Sequence, residues 1–344
     1  MKIAIDCRYL GGSGIGRVLK GILDNLDFSK NDYYLIGKEK DIKKYPNAKG
    51  YWINDTSAFS IKGIKKINKE VNNCDIFFSP NFIIPFNVKI KTITMLHDVI
   101  FLDMPKINSS YFEYLFKKYL LKRCMKKSYH VYTVSKFSND RISYYFKKYS
   151  HKLSYCYNGT DEYFKTFENV PALEKENYIL YVGNIKEHKG LKTLLEAYKI
   201  LKEKSDLNLY LIGDKDSLKN SDESIDKYLN LDGIKFTGRL NDEELLNIER
   251  KAKFLIQPSL YEGFGLPPLE ALYLKTKPII SNIEVFKEVF NDLDVDFFEV
   301  GNPLDLANKI LTSNPVVNPN YKYMNEKFNF KNICVELEKE FLKW

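Results

Sequence analysis

Two glutamates that flank a glycine-containing turn are the residues of this chain best placed for chemistry. Glu262 and Glu270 are eight positions apart in the segment 255–282, LIQPSLYEGFGLPPLEALYLKTKPIISN. The segment begins as a short apolar run, passes through a Gly-Phe-Gly turn at 263–265, and enters a second apolar run through two prolines. Proline is tolerated at the first position of a helix, because its missing N–H would be unpaired there. The pattern therefore predicts a strand, a glycine turn and a helix.

A turn of this kind suits a ligand with phosphate or hydroxyl groups. A glycine turn at a helix N-terminus presents free backbone N–H groups and the positive end of the helix dipole, which favour a phosphate. Two carboxylates beside a phosphate would repel it unless they bind other groups, and sugar hydroxyls are the obvious partners. An ordinary turn with solvated glutamates explains either residue alone. It does not explain a pair that brackets a glycine turn.

A second glycine-rich turn, GGSGIG at 11–16, follows the first strand-like run. It fails the dinucleotide-binding fingerprint, because the third glycine, counted from Gly12 and Gly14, would fall at Arg17. The next strand, which ends near Ile36, also lacks the acidic residue that would hold a ribose. A dehydrogenase is therefore disfavoured. Glycine still allows the backbone of this turn to approach a ligand closely.

Alternating strand and helix patterns predict a parallel sheet in each half of the chain. Strand-like runs lie at 2–5, 33–36, 76–78, 90–95, 131–134 and 153–156, and then at 178–182, 207–212, 234–237, 254–257 and 278–280. Helical patterns lie at 61–72, 109–127 and 137–148, and then at 190–203, 222–230, 241–251 and 267–274. We predict Rossmann-like domains at 1–168 and 169–325, with a cleft between them for a small molecule. A terminal helix within 326–344, with Ile333, Leu337, Phe341 and Trp344 on one stripe, should pack back on the first domain.

Length and composition fit a two-domain globular protein. The chain has 344 residues, of which 44% are apolar and 28% charged. The net charge of +8 permits anionic partners but selects none. The sequence has no apolar run long enough to span a bilayer, and it has no apolar signal core. Its five cysteines are scattered without CxxC spacing. We therefore expect a cytoplasmic protein with reduced thiols, and neither disulfides nor a zinc site.

Three other features have competing interpretations. His97 follows a strand at the predicted ligand-binding edge, and this position favours function over a purely structural role. The helix 109–127 carries six basic residues among many apolar ones, so it fits an anionic membrane surface and an ordinary crossover helix equally well. The triplet Asp214-Lys215-Asp216 fits a solvated turn better than a metal site, because no other ligands are near it in the sequence.

Taken in order, these motifs resemble those of family-4 glycosyltransferases of the GT-B fold. The resemblance covers nearly the whole chain and rests on GGSGIGR (11–17), HDVIFLDMP (97–105), TVSKFSNDRI (133–142), YNGTDEYF (157–164), YVGNIKEHKGLKTLLEAY (181–198), FTGRLNDEELLNIERKAKFLIQPSLYEGFGLPPLEAL (236–272) and SNIEVFKEV (281–289). The segment with the two glutamates is the most specific of these. Within the family, the chain is similar to the mannosyltransferase-like branch of bacterial O-antigen and capsule assembly.

The resemblance implies two Rossmann-like domains that face each other across a cleft, with the acceptor on the N-terminal domain and the donor on the C-terminal one. It implies transfer of a hexose, with retention of configuration and without a metal or other cofactor, to a hydroxyl of a glycan or glycolipid. GDP-mannose is the donor that the branch favours. UDP-hexoses, UDP-N-acetylhexosamines, GDP-fucose and dTDP-rhamnose stay open. A lipid-linked acceptor would place the protein on the inner face of the cytoplasmic membrane, in contact with it through 109–127.

The resemblance also assigns roles to individual residues. Those that match catalytic positions of the family are His97, Lys189 and Glu262. Those that match donor-binding positions are Gly14, Gly16, Lys189, Arg239, Leu240, Glu262, Gly263, Phe264, Gly265, Leu266 and Glu270. Among them, Glu270 matches the ribose-binding glutamate, Glu262 the glutamate that faces the donor sugar, and Lys189 the phosphate-binding lysine.

The chain departs from the family beside the phosphate site. His188 stands where members of the branch commonly carry arginine, and Asn184 stands where other relatives carry one. A leaving diphosphate needs cationic or N–H stabilisation when no metal supplies it. Lys186, a protonated His188 or Arg239 are the candidates to assist Lys189.

Two other classes of protein fit part of the pattern. A nucleotide-sugar epimerase of GT-B fold shares the two-domain cleft but gives no reason for the two spaced glutamates. A non-catalytic nucleotide-sugar-binding protein is compatible with the missing arginine. Nucleic-acid binding is disfavoured, because the basic residues do not gather into a recognisable motif.

Overall fold

The chain folds into two compact units. The computed structural model describes residues 1–11, 14–213, 228, 231–238 and 240–343. The first unit consists of residues 1–159 together with the chain from Lys327 onward, and the second unit consists of residues 160–326. The motifs GGSGIGR and FTGRLN each include residues outside the described set, namely 12, 13 and Arg239. The Asp214–Asp216 triplet and most of the helix predicted at 222–230 also lie outside it.

Within its described residues, the first unit contains a seven-stranded parallel sheet with the order β3-β2-β1-β4-β5-β6-β7. Its strands are β1 (Lys2–Asp6), β2 (Asp32–Gly37), β3 (Gly50–Ile53), β4 (Ile76–Ser79), β5 (Lys91–Leu96), β6 (Ser128–Thr133) and β7 (Leu153–Tyr155). Its helices before the second unit are α1 (Gly14–Asn25), α2 (Glu39–Ile42), α3 (Ile61–Lys65), α4 (Ile100–Asp103), α5 (Tyr111–Lys127) and α6 (Lys136–Tyr145).

The described part of the second unit contains a six-stranded parallel sheet with the order β10-β9-β8-β11-β12-β13. Its strands are β8 (Tyr178–Val182), β9 (Asn208–Ile212), β10 (Ile234–Gly238), β11 (Phe254–Gln257), β12 (Lys277–Ser281) and β13 (Asp296–Phe298). The helices from here to the C-terminus are α7 (Glu162–Lys165), α8 (Leu191–Lys202), α9 (Asp242–Lys251), α10 (Leu266–Tyr273), α11 (Glu284–Phe290), α12 (Pro303–Thr312), α13 (Tyr321–Lys327) and α14 (Phe330–Phe341). Two parallel sheets with crossover helices confirm the predicted pair of Rossmann-like domains.

The strands of the second sheet are apolar on both faces because both faces are covered. In β8, Ile179 and Tyr181 are buried in one hydrophobic cluster, whereas Tyr178 and Leu180 are buried in another. Continuous apolar strands are typical of parallel sheets that lie between two helix layers. The polar side chains of this unit can therefore gather where the strands end.

The elements differ from the prediction at several places. The pattern at 61–72 is a short helix, α3, and a 3₁₀ turn at Lys69–Asn73, because Lys66 adopts an extended backbone that ends the helix. Strands β3 and β13, at the outer edges of the two sheets, were not predicted. Further 3₁₀ turns lie at Pro105–Ile107, Lys147–Lys152, Thr166–Asn169 and Glu187–Lys189.

The terminal helix α14 packs on α1 within the first unit. The ring of Phe330 lies where a side chain on Gly21 would project, 2.2 Å from a Cβ built there, so only glycine fits at that position. Cys334 Sγ donates to the carbonyl of Ile22 at 3.3 Å, and Lys30 pairs with Glu338 at 2.7 Å. No described helix is both long enough and apolar enough to cross a bilayer.

Candidate active site

Lys189 and Glu262 form an ion pair at the carboxyl edge of the second sheet. Lys189 Nζ donates to both carboxylate oxygens of Glu262, at 2.7 and 2.8 Å. Lys189 lies in the loop after β8, and Glu262 lies in the loop after β11, the neighbouring strand. Loops that follow adjacent parallel strands meet at one edge of the sheet, where ligands of such folds bind. The two residues are 73 positions apart in the sequence, so the sheet order creates their contact.

Two further side chains hold the carboxylate of Glu262 in place. Ser259 Oγ donates to Glu262 Oε1 at 2.7 Å, and Gln257 Nε2 donates to the same oxygen at 3.2 Å. Gln257 Nε2 also donates to Ser259 Oγ at 2.9 Å. Among the described residues, Oε2 receives only the hydrogen bond from Lys189, so it keeps the capacity to accept from a ligand hydroxyl.

Sequence reasoning missed Gln257 and Ser259. Gln257 occupies the last position of an otherwise apolar strand, β11, and it is 2% exposed. A buried amide at the end of such a strand is a signal for a polar contact, because buried polar groups are almost always hydrogen-bonded. The position of Glu262 thus depends on residues that precede it in its own loop.

The loop that carries Lys189 is fixed against the loop that carries Glu262. The backbone N–H of Leu260 donates to the carbonyl of His188 at 2.8 Å. Gly190 follows with φ of +66°, a left-handed conformation that glycine adopts without strain. A Cβ built on Gly190 would lie 1.9 Å from the carbonyl oxygen of Pro258. The close packing of the two loops therefore requires glycine at this position.

We predict that Gly190→Ala lowers the free energy of unfolding by about 2–4 kcal/mol, because strain at positive φ adds to an overlap with backbone. Gly301→Ala is the matched control, since Gly301 has φ of +74° with no atom within 4 Å of the added Cβ. That variant should lose only about 1–2 kcal/mol. Urea denaturation measures both. Equal losses for the two variants would show that contact with Pro258 is unimportant.

The turn and helix between the two glutamates form as predicted, with a small shift in register. Gly265 precedes α10 with φ of +119°, and a Cβ there would lie 2.7 Å from the ring of Phe286. Phe264 is buried, whereas Gly263 and Leu266 are half-buried. Glu270 is 6% exposed and lies in the second turn of α10, not in its first turn, because the helix begins at Leu266.

The other predicted donor-binding residues belong to other segments of the chain. Leu240 is half-buried and packs against a hydrophobic cluster on the second sheet. Arg239 lies outside the described residues. Gly14, in the first unit, is the exposed first residue of α1. Gly16 is buried, and a Cβ there would lie 2.4 Å from the carbonyl oxygen of Tyr9, so packing requires this glycine whether or not a ligand approaches.

His97, also in the first unit, is neutral near pH 7. Burial lowers its pKa from the ordinary 6.5 to about 4. Its Nε2 lies 3.0 Å from the carbonyl oxygen of Pro80. A carbonyl only accepts, so Nε2 carries the proton and Nδ1 keeps a free lone pair. His97 can therefore orient a hydroxyl group through Nδ1 as an acceptor, and it cannot supply a positive charge.

His188 does not supply a charge in place of the missing arginine. Burial and the neighbouring Lys189 and Lys186 lower its pKa to about 4, although Glu262 opposes this shift. The ring is therefore neutral at pH 7 in the ligand-free protein. Lys186 is exposed, and Lys189 is the cation that the structure holds at the carboxylate of Glu262.

The two histidines make stability depend on pH in a defined window. Their pKa values are about 4 in the folded protein and about 6.5 in an unfolded chain, so the unfolded state takes up protons first as pH falls. The contribution of these two histidines to stability is complete above about pH 6.5 and is lost as pH falls toward 4. We expect the thermal midpoint to fall by roughly 3–6 °C between about pH 7.5 and about pH 5.5. The double variant His97→Gln/His188→Gln should show a flatter profile, and an unchanged slope would contradict this assignment.

Comparison with known proteins agrees with the geometry. Residues 163–313 match the family described as glycosyl transferases group 1. The O-antigen chain mannosyltransferase RfbU of Salmonella typhimurium is 31% identical over 183 residues, which are 53% of this chain and 50% of the relative. O-antigen chain mannosyltransferase B of Escherichia coli is 28% identical over 238 residues, with coverage of 63% and 59%. The chain thus spans only about half the length of the curated relatives it matches.

Solved structures share the fold over the whole chain. HepE of Anabaena, in complex with UDP and glucose, has a TM-score of 0.73 at 15% identity and covers 100% of both chains. Sucrose-phosphate synthase of Thermosynechococcus elongatus has a TM-score of 0.74 at 15% identity, with coverage of 100% and 98%. Likeness at this identity shows the fold alone. Together with the two parallel sheets, it shows that the chain has the GT-B fold, and residues 163–313 are similar to the group 1 glycosyl transferases, with the O-antigen mannosyltransferases among the similar proteins.

Proposed function

We propose that the protein transfers a hexose from a nucleotide sugar to a hydroxyl of a glycan or glycolipid, with retention of configuration. The observation that carries the proposal is the contact between Lys189 and Glu262 at the carboxyl edge of the second sheet. A carboxylate fixed on one oxygen suits recognition of a sugar hydroxyl with the other, and a lysine beside it suits a phosphate. One nucleotide sugar carries both groups.

The proposed mechanism is front-face transfer. The acceptor oxygen forms a bond to the anomeric carbon on the face from which the diphosphate leaves. The bond between that carbon and the phosphate oxygen breaks, and the departing oxygen takes the proton of the acceptor hydroxyl. Lys189 and the N-terminus of α10 stabilise the developing negative charge. We propose that no metal is required.

Glu262 orients the sugar in this mechanism and does not attack it. Its Oε1 accepts hydrogen bonds from three side chains, and its Oε2 accepts one from a lysine. A carboxylate whose oxygens are engaged in this way is a poor nucleophile, because its lone pairs are directed at hydrogen-bond donors. Double displacement through this residue is therefore disfavoured.

GDP-mannose is the proposed donor, because the curated relatives that match are O-antigen mannosyltransferases. A UDP-hexose is the second candidate, because HepE of the same fold was solved with UDP-glucose. A thermal-shift panel of nucleotide sugars distinguishes them, since a ligand that binds the folded state raises its apparent stability. The panel should also include UDP-N-acetylhexosamines, GDP-fucose and dTDP-rhamnose.

An assay without acceptor separates the rival classes. A glycosyltransferase should hydrolyse its donor slowly to the free sugar and the nucleoside diphosphate. An epimerase would convert the donor into an isomeric sugar, and a non-catalytic binding protein would leave it unchanged. Either of these last two results would contradict the proposal.

We further propose that the acceptor is lipid-linked and that the protein contacts the inner face of the cytoplasmic membrane through residues 109–127. Exposed lysines on α5 attract anionic headgroups, and the proposed chemistry requires access to a growing glycan on its carrier. Binding to anionic vesicles at low salt tests this part of the proposal. Absence of binding to such vesicles would contradict the proposed membrane contact and would not affect the assignment of the donor site.

A further inference from the structure

The solvent face of α5 is apolar where a globular helix is normally polar. Its exposed side chains include Tyr111, Phe112, Leu115, Phe116 and Tyr119, and Phe112 alone is 82% exposed. A surface helix of a globular protein usually turns such residues toward the core. Of the 19 large apolar side chains exposed in the described residues, five lie in this one helix. The cluster therefore needs an explanation that a crossover helix does not give.

The exposed face of α5 continues as a basic face toward the C-terminus of the helix. Positions 111, 115, 119, 122 and 126 follow one another at intervals of three or four and so share one side of the helix. The last two are the exposed Lys122 and Lys126. The helix thus presents aromatic and aliphatic side chains in its first half and lysines in its second half.

A loop from another part of the first unit extends the same surface. Arg123 of α5 donates to the carbonyls of Ile84 and Pro85, and its guanidinium lies 4.5 Å from the centre of the Phe86 ring. Phe86 is itself exposed, and its ring centre lies 6.5 Å from that of Tyr119. The loop 82–86 is therefore fixed beside α5 at Tyr119 and Arg123.

Helix α3 contacts the loop 82–86 as well. The backbone N–H of Phe86 donates to the carbonyl of Ile64 at 3.0 Å. Beneath this contact, Ile64, Ile83 and Leu120 form one small buried cluster, so the three segments share a core. Arg8 also fixes α3, because its guanidinium donates to the carbonyl of Gly63 at 3.2 Å.

Helix α3 has the same surface composition as α5. Phe59 and Ile61 are exposed at its start, and Ile61 is 72% exposed. Three lysines, Lys62, Lys65 and Lys66, are exposed along it and just after it. Large apolar side chains next to exposed lysines are typical of surfaces that lie in the interface of an anionic bilayer.

The charge of this surface is predominantly positive. Within α3 and α5, the only acidic residue is Glu113, which pairs with Lys117 at 2.6 Å. In the described part of the chain, no acidic side chain pairs with Lys118, Lys122 or Lys126. These lysines can interact with lipid phosphates, because an anionic membrane surface attracts each nearby basic residue.

We propose that α3, the loop 82–86 and α5 form one composite surface that docks on an anionic phospholipid bilayer, with apolar side chains in the interface and lysines on lipid phosphates. The inference rests on the proposed function, which places the acceptor on a lipid carrier. It adds helix α3 and the loop 82–86 to the membrane contact, and both lie outside the segment 109–127.

Vesicle sedimentation tests the composite surface with matched double variants. Phe112→Ser/Phe116→Ser removes apolar side chains from α5, and Phe59→Ser/Ile61→Ser removes them from α3. The control, Leu304→Ser/Val316→Ser, removes two exposed apolar side chains, 54% and 63% exposed, from the second unit. The vesicles contain phosphatidylcholine with about one third phosphatidylglycerol, against phosphatidylcholine alone. Circular dichroism confirms that each variant is folded.

The expected result is that the α3 variant and the α5 variant each weaken binding to anionic vesicles by about tenfold or more. The control should bind like the parent protein, and neutral vesicles should bind all of them weakly. If only the α5 variant loses binding, the composite surface is wrong while the contact through 109–127 stands. If the parent protein binds no vesicles and instead forms a dimer that the α5 variant abolishes, a second copy covers this surface. Donor binding, measured in parallel, reports separately on the proposed enzyme.

Discussion

Replacement of Lys189 by alanine is expected to lower kcat/KM for sugar transfer by about 10²–10³. The structure places Lys189 Nζ 2.7 Å from Glu262, in the loop after β8. In the proposed mechanism it stabilises the negative charge on the leaving diphosphate. Because His188 is neutral near pH 7, no charge on that residue can replace it. The loss should appear mainly in kcat, since the charge develops in the transition state.

Lys192→Ala is the matched control for this variant. Lys192 lies three positions further along the chain, in α8, and is exposed. Its removal changes the net charge by the same amount at a site without a role in the proposed chemistry. Lys189→Arg keeps the charge and should retain part of the activity. If Lys189→Ala transfers sugar as fast as Lys192→Ala, the assigned role of Lys189 is wrong.

Alanine at Glu270 and alanine at Glu262 should weaken ligand binding in two different ways. We assign Glu270 to the ribose and Glu262 to the donor sugar. Glu270→Ala should therefore weaken the binding of the nucleoside diphosphate and the binding of the nucleotide sugar by the same factor. We expect about 10–100-fold, because hydrogen bonds to a charged group are lost. Glu262→Ala should weaken the binding of the nucleotide sugar by a similar factor. It should leave the affinity for the nucleoside diphosphate nearly unchanged or raise it.

Calorimetric titration of both ligands into both variants measures these four effects. Tighter binding of the nucleoside diphosphate to Glu262→Ala would reflect the loss of the carboxylate that pairs with Lys189. Glu288→Ala, on α11 of the same unit, provides a carboxylate control. A nucleoside diphosphate that binds Glu270→Ala as well as it binds the parent protein would contradict the ribose assignment.

The candidate site shows where sequence reasoning ends. The glutamates, the glycine turn and Lys189 could each be identified from motifs, but their contacts could not. Lys189 meets Glu262 only because β8 and β11 are neighbours in the sheet, and chain order does not reveal that arrangement. The sequence pattern predicts Gln257 only as the end of an apolar strand, whereas in the structure its amide donates to the carboxylate of Glu262. Burial, which the sequence does not show directly, decided the charge of His188.

The fold was predictable where elements are long and apolar. Strands such as β8 and β11 are buried on both faces and therefore stand out as apolar runs. The edge strand β3 begins with a glycine, and β13 is three residues long and begins with Asp296, so neither has a clear pattern. The predicted bounds of helix α5 agree with the structure within two residues. Which of its faces is exposed could not be predicted, because apolar residues occur all around the helix.

In the mechanism that we propose, the ion pair between Lys189 and Glu262 also affects the release of the product. In the empty site the lysine already has a counter-ion, so a bound diphosphate has to share it with a carboxylate. Once the sugar has moved to the acceptor, Oε2 of Glu262 loses its hydroxyl partner and regains its full interaction with the lysine. The hold on the nucleoside diphosphate is thereby weakened at the stage when it must leave. The same carboxylate that orients the donor thus competes with the spent nucleotide and favours its release.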